Sequence, residues 1–235
     1  MSGTRRAASK ARKQGIAGFV RWWPRTGRKP VAKLFHADLI AKTMNFETVR
    51  WMGIEMRQNV LDVWTIQETI TEVRPALLIE TGTWDGGSAL FYAQLMDLLG
   101  EGRVLTIDID DKNELDHPRV EFLHGSSTAP ETVEQVRAKV DEVDGPVMVI
   151  LDGDHSQSHV AEELELYAPL VTPGSFLLSQ DGVIDEMELF RESRPGPLPA
   201  NRDFLARHPE FEHDAERNER FLLTHHPLGW LKRVR

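Results

Sequence analysis

The chain has 235 residues, with 28 Lys/Arg, 37 Asp/Glu and no cysteine, enough for one α/β domain with a sizeable core and a modest extension. The missing cysteine excludes disulfides, thiolate metal sites and a thiol nucleophile. No apolar run approaches a membrane span, and the basic start lacks the apolar stretch of a secretory signal, so a cytoplasmic location is expected.

Charge is unevenly spread. The first 33 residues hold ten of the Lys/Arg and no acid, which leaves 18 bases against 37 acids in the rest. Such an arm suits nucleic acid or a membrane surface, but the body shows no basic signature. An arm at residues 1–30 that is flexible, or docks through Trp22 and Trp23 onto its own acidic body or a neighbouring subunit, is therefore expected. Nucleic acid is not.

In chain order, Val31 to Ala41 has the composition of a helix after Pro30, and Asn45–Ile54 is irregular and aromatic. Val63, Ile66, Ile70 and Val73 recur at helical spacing, and Pro75 stops that helix. Residues 31–74 thus form a helical cap before the main domain at 75–235. Leu77–Ile79 is a buried-strand run ending at Glu80. Gly82, Gly86 and Gly87 permit a tight turn and close ligand approach, and Ser88 can cap the helix Ala89–Leu99. Strands follow at Arg103–Asp108, Val120–His124, Val147–Asp152 and Ser175–Ser179. They alternate with helices at Glu131–Val143 and His159–Tyr167, a pattern of a mostly parallel sheet covered on both faces. The proline-rich Arg194–Pro199 reads as a rigid loop before a helix near Ala200–Arg207. Phe211–Asp214 and Arg220–Thr224 read as an antiparallel pair, extended by Gly229–Val234.

Four acids stand at strand ends: Glu80, Asp108, Asp152 and Asp181. In a doubly wound sheet these ends face one crevice. Asp108 is placed for a ribose diol, and Ser126 and Ser127 for an adenine edge. Asp152-Gly153-Asp154-His155 and Gln180-Asp181 offer oxygen ligands from adjacent strands, which suits a hard cation such as Mg²⁺, with His155 as a general base. The other histidines, His225 and His226 among them, read as turn or core histidines.

Leu61-Asp62-Val63-Trp64-Thr65-Ile66-Gln67-Glu68, Glu80-Thr81-Gly82-Thr83-Trp84-Asp85-Gly86-Gly87-Ser88 and Leu151-Asp152-Gly153-Asp154-His155 together resemble the cephalosporin hydroxylase-like family, which includes sugar O-methyltransferases. So do Ile107–Asp110 and Glu165–Val171. The resemblance runs from about Asn45 to the C-terminus and implies a Rossmann-like class I methyltransferase fold. That fold is a doubly wound, seven-stranded, mostly parallel sheet whose last strand is antiparallel. It implies S-adenosylmethionine at the turn, with Glu80, Gly82, Thr83, Gly86, Gly87, Ser88, Asp108, Ser126, Ser127 and Asp152 as candidate contacts. It also implies Mg²⁺ at Asp152, Gln180 and Asp181, and His155 as the catalytic histidine. The departure is Gln180, where family members carry Glu, which removes one negative charge. The acceptor is expected to be a sugar hydroxyl, and the protein a homo-oligomer. The alternative is a metal-dependent hydroxylase, for which His155, His159 and Asp152 would have to converge.

Overall fold

The computed structural model describes residues 25–111 and 115–235, with side chains from residue 30 onward. The basic arm up to residue 24, with Trp22 and Trp23, lies outside the described residues. Two compact units divide the chain after Lys42. The first contributes a helix, α1 (Arg25–Lys42). It does not wait for Pro30, which lies inside it. The second unit, Thr43–Arg235, holds everything described below. Residues 43–74, expected with the N-terminal cap, therefore belong to the same unit as the sheet.

Within that unit the irregular aromatic stretch contains a small hairpin, β1 (Arg50–Trp51) with β2 (Ile54–Glu55). Helix α2 (Val60–Val73) follows. It starts at Asn59, whose side chain accepts from Leu61 N–H, and ends on Arg74 in the left-handed conformation. The sheet strands are β3 (Leu77–Thr81), β4 (Arg103–Asp108), β5 (Val120–His124), β6 (Val147–Leu151), β7 (Phe176–Ser179), β8 (Phe211–His213) and β9 (Trp230–Arg233). Their order is β5-β4-β3-β6-β7-β9-β8. The first five run parallel, and β9 is antiparallel to both β7 and β8.

Every residue of β3 and β6 is buried, as central strands covered on both faces must be. The period of two sorts their side chains. Leu77, Ile79, Val147, Val149 and Leu151 pack with Val160, Leu164 and Tyr167 of α5 (Gln157–Tyr167) and Phe204 of α6 (Pro197–Arg207). Val136 of α4 (Pro130–Asp141) joins them. Leu78, Met148 and Ile150 pack with Ile66 and Ile70 of α2 and with Tyr92 and Met96 of α3 (Gly87–Leu99). Truncating a fully buried Ile70 to Ala costs about 2–5 kcal/mol.

The strand order reverses between β3 and β6, which puts the ends of these two strands at the switch point where open α/β sheets bind ligands. Among the described residues no helix is long and apolar enough to cross a membrane.

Three local expectations are corrected. Arg220–Thr224 is not a strand: β8 pairs with β9 instead, and between them lie α7 (Ala215–Asn218) and a loop. Leu222 adopts φ +71° and is largely exposed, so the apolar run never builds an alternating buried face. The proline-rich loop is shorter than expected because α6 begins at Pro197, where a first-turn proline loses no hydrogen bond. Ser88 does not cap α3; Gly86, in the left-handed region at φ +85°, occupies that place.

Candidate active site

The glycine turn acts through the backbone. A Cβ on Gly82 would stand 2.0 Å from the carbonyl oxygen of Asp152, and one on Gly87 would stand 2.3 Å from that of Glu55. These glycines let three chain segments touch rather than opening space for a ligand. Gly82 N–H donates to Ile107 O at 2.8 Å and Asp152 N–H to Thr81 O at 3.0 Å, which locks the ends of β3, β4 and β6 together.

Above this seam opens a cavity of about 790 Å³. One set of its walls is Gly82, Thr83 and Ser88, then Asp108, then Ser126 and Ser127. Asp108 is held in place by Trp84 N–H on Oδ2 and Asp110 N–H on Oδ1, both at 2.9 Å. The rim carries Arg57, which lies over the Trp84 ring at 4.2 Å and pairs with Glu55 at 2.6 Å.

Glu80, Gly86, Gly87 and Gln180 stand outside the lining. Glu80 is wholly buried and accepts from Thr106 Oγ1 at 2.7 Å. Burial pushes its carboxyl up to about 7, against hydrogen bonds from Ser88 and Thr106.

The same cavity is lined by Asp152, His155 and Asp181, whose ligand atoms all lie within 4.8 Å of one another. They come from three places: the end of β6, the loop before α5, and the residue following β7 by two. His155 Nε2 is 3.2 Å from Asp181 Oδ2 and 4.0 Å from Asp152 Oδ1. Burial works to raise the Asp181 carboxyl, but His155, His225 and His226 around it bring the net effect below the usual range. Asp152 goes the other way, raised by burial and by the charges of Asp181, Glu80 and Glu163. Two carboxylates at such a separation favour a shared cation.

Gln180 is buried behind this group. Gln58 Nε2 donates to Asp152 Oδ2 and to Gln180 Oε1, each at 2.7 Å. Turned so that its nitrogen faces Asp152, the Gln180 amide instead donates to Asp152 Oδ1 at 3.0 Å and to Gln58 Oε1 at 3.1 Å. The second orientation avoids an oxygen–oxygen contact with the carboxylate, and hydrogen bonding assigns it. In the second orientation Gln180 braces Asp152 through its amide nitrogen.

His159 does not converge with His155. It sits in the first turn of α5 and turns to Ser127 Oγ at 3.1 Å and Glu163 at 3.5 Å. The Glu163 carboxylate beside it raises its pKa against the effect of burial. The triad of two histidines and a carboxylate needed for the hydroxylase alternative is therefore not built from His155, His159 and Asp152.

Sequence reasoning missed Gln58 and His225. His225 is buried, lines the cavity, and has its Nε2 3.8 Å from Asp181 Oδ1. A doubled histidine in a loop distant in sequence carries no signal until the loop is folded back.

A parallel, switch-point sheet with a cavity over the ends of β3, β4 and β6, and one antiparallel strand near the sheet edge, defines a Rossmann-like class I methyltransferase. Residues 43–234 match the family described as Rhamnosyl O-methyltransferase/CmcI, and the chain belongs to that family of O-methyltransferases. It is 37% identical over 194 residues to the rhamnosyl O-methyltransferase of Mycobacterium leprae, covering 80% of this chain and 84% of that protein. With the Mycobacterium tuberculosis rhamnosyl O-methyltransferase it shares 38% over 190 residues, covering 78% and 77%. The solved structure of CmcI with Mg and SAM has the same fold, with a TM-score of 0.65 over 81% of this chain and 78% of that one, at 19% identity.

Proposed function

We propose that this chain transfers a methyl group from S-adenosylmethionine to a sugar hydroxyl, with Mg²⁺ as its cation. The observation that carries the reading is the convergence of Asp152, His155 and Asp181 within 4.8 Å in one cavity with the Asp108 wall. The rhamnosyl relatives support the sugar, and the fold supports the methyl donor.

S-adenosylmethionine supplies a methyl carbon on a positive sulfur. Gly82, Thr83 and Ser88 form the bed for it, Asp108 accepts from its ribose hydroxyls, and Ser126 and Ser127 meet its adenine. Glu80, Gly86 and Gly87 act from behind by fixing the turn. Asp152 and Asp181 would hold Mg²⁺, which would lower the pKa of an acceptor hydroxyl, while Gln180, expected as a third ligand, stands behind them against Asp152. His155 takes the proton from that hydroxyl. Asp181 Oδ2, 3.2 Å from its Nε2, stabilises the protonated ring by its charge. Holding acceptor oxygen and methyl carbon in line supplies a large share of the rate. Self-association belongs to the same proposal: Met52, Val60 and Trp64 expose large apolar side chains.

A methyl-transfer assay with labelled S-adenosylmethionine over rhamnosyl, mannosyl, glucosyl and catechol acceptors tests the reading. Label in a sugar ether supports it. Transfer to catechol alone, or to none of them, contradicts it.

A further inference from the structure

Asp62 is an acid in the first turn of α2 with only 2% of its surface exposed, and the chemistry above does not use it. Buried carboxylates of this kind are retained only when hydrogen-bonded, and Asp62 is. Its Oδ1 accepts from Thr224 Oγ1 at 2.6 Å, and its Oδ2 accepts from His225 N–H at 2.7 Å and Asn59 Nδ2 at 2.8 Å. Thr224 Oγ1 in turn accepts from His226 N–H at 3.0 Å. One carboxylate thus pins three consecutive residues of the loop before β9.

That loop grips the turn carrying Asp181 from two sides. His226, 1% exposed, accepts Asp181 N–H on Nδ1 at 3.0 Å. Its proton is therefore on Nε2, which stands 3.8 Å from Asp62 Oδ2 and makes no hydrogen bond among the described residues. His225 O accepts from Val183 N–H at 3.0 Å. The His225 ring meets Phe46 and Phe190 edge-on, at 5.0 and 5.9 Å, while its Nε2 faces Asp181. The hold also fixes the Asp181 backbone at φ +58°, a left-handed conformation that Asp tolerates better than most residues.

We infer that Asp62 is a positioning residue for the cation site, acting through Thr224, His225 and His226 to fix the Asp181 carboxylate. The inference rests on the reading that Asp181 holds Mg²⁺. Asn at 62 keeps the shape but turns one acceptor into a donor facing donors. Val at 224 keeps the shape but loses the hydroxyl, whereas Ser at 224 keeps it. Partners one step behind a ligand typically change metal affinity by about 10–100-fold.

Magnesium binding to the full chain by calorimetry, with S-adenosylhomocysteine binding measured alongside, tests this. Asp62→Asn and Thr224→Val are each expected to weaken Mg²⁺ by about tenfold or more, with S-adenosylhomocysteine affinity held within about threefold and Thr224→Ser close to the unsubstituted chain. Unchanged Mg²⁺ affinity in a folded Asp62→Asn or Thr224→Val protein overturns the inference. So does a parallel loss of both ligands, which marks a structural role only. If Asp62→Asn does not fold, the Thr224 pair decides alone. Asp181→Ala separates the two levels: if it too leaves Mg²⁺ binding intact, the underlying cation reading has failed, not merely the role of Asp62.

Discussion

The two sides of the cavity are built by different means. The turn from Gly82 to Ser88 is local: seven consecutive residues, shaped by glycines and tied by backbone hydrogen bonds to the neighbouring strand ends. The side holding Asp152, His155 and Asp181 is assembled from distant segments. Gln58 braces Asp152 from 94 residues away in sequence, and Asp62 pins His225 from 163 residues away. The first kind of site tolerates side-chain changes but not added backbone bulk. The second depends on side chains whose partners must all be in place.

The contrast is broken most severely at His155. If it takes the acceptor's proton, His155→Ala should lower turnover by about 10²–10⁴-fold at neutral pH, with part of the rate returning at high pH. S-adenosylmethionine affinity, measured separately, should hold. A loss of only a few-fold at both pH values removes it as the base.

On the local side, Gly82→Ala should destabilise the fold by about 3 kcal/mol or more. It adds a Cβ 2.0 Å from a carbonyl oxygen at a backbone angle of φ +87°. Chemical denaturation reads this out, and a cost below about 1 kcal/mol means the seam between β3 and β6 gives way easily.

Glu80 offers a comparable effect with a pH signature. Its carboxyl is raised from 4.5 to about 7 by burial, so the folded chain holds this proton more tightly than the unfolded chain. The stability so gained is complete below about pH 4.5 and is lost as the pH rises through 7, by about 3 kcal/mol from the size of the shift. In Glu80→Gln this loss should vanish. Melting the two proteins at pH 5 and pH 8 should show the variant gaining on the parent at the higher pH, and equal pH slopes would refute it.

The smallest change is at Asp108. Asp108→Asn keeps the acceptor for Trp84 N–H but weakens the second, and S-adenosylmethionine affinity should fall by about 1.5–3 kcal/mol from loss of a charged hydrogen-bond acceptor. An unchanged affinity by calorimetry would place the ribose elsewhere.

The same contrast explains what could be read from the sequence. The parallel strands were legible to within a residue or so, since β3 and β6 are unbroken apolar runs and the helices between them have a clear period. Gly82–Ser88 and the strand-end acids followed from that alternation. Arg220–Thr224 misled because its strand-like pattern is overruled by the anchoring of Thr224 and His225 to Asp62, a contact spanning most of the chain. Gln180 was legible as a departure, but its orientation was not, because the Asp152 carboxylate it faces belongs to another strand end. The glycine turn was legible, but the approach of the Asp152 and Glu55 carbonyls to Gly82 and Gly87 exists only once three segments meet.

The central claim is that Asp152, His155 and Asp181 form one reaction centre for methyl transfer. It is tested most directly by following labelled methyl into a rhamnosyl acceptor, in the unsubstituted chain and in Asp181→Ala, with EDTA and then with Mg²⁺ restored. The account predicts transfer that EDTA abolishes and Mg²⁺ restores in the first protein, and no transfer under any condition in the second. Transfer by Asp181→Ala at the parent rate, indifferent to EDTA, would contradict it.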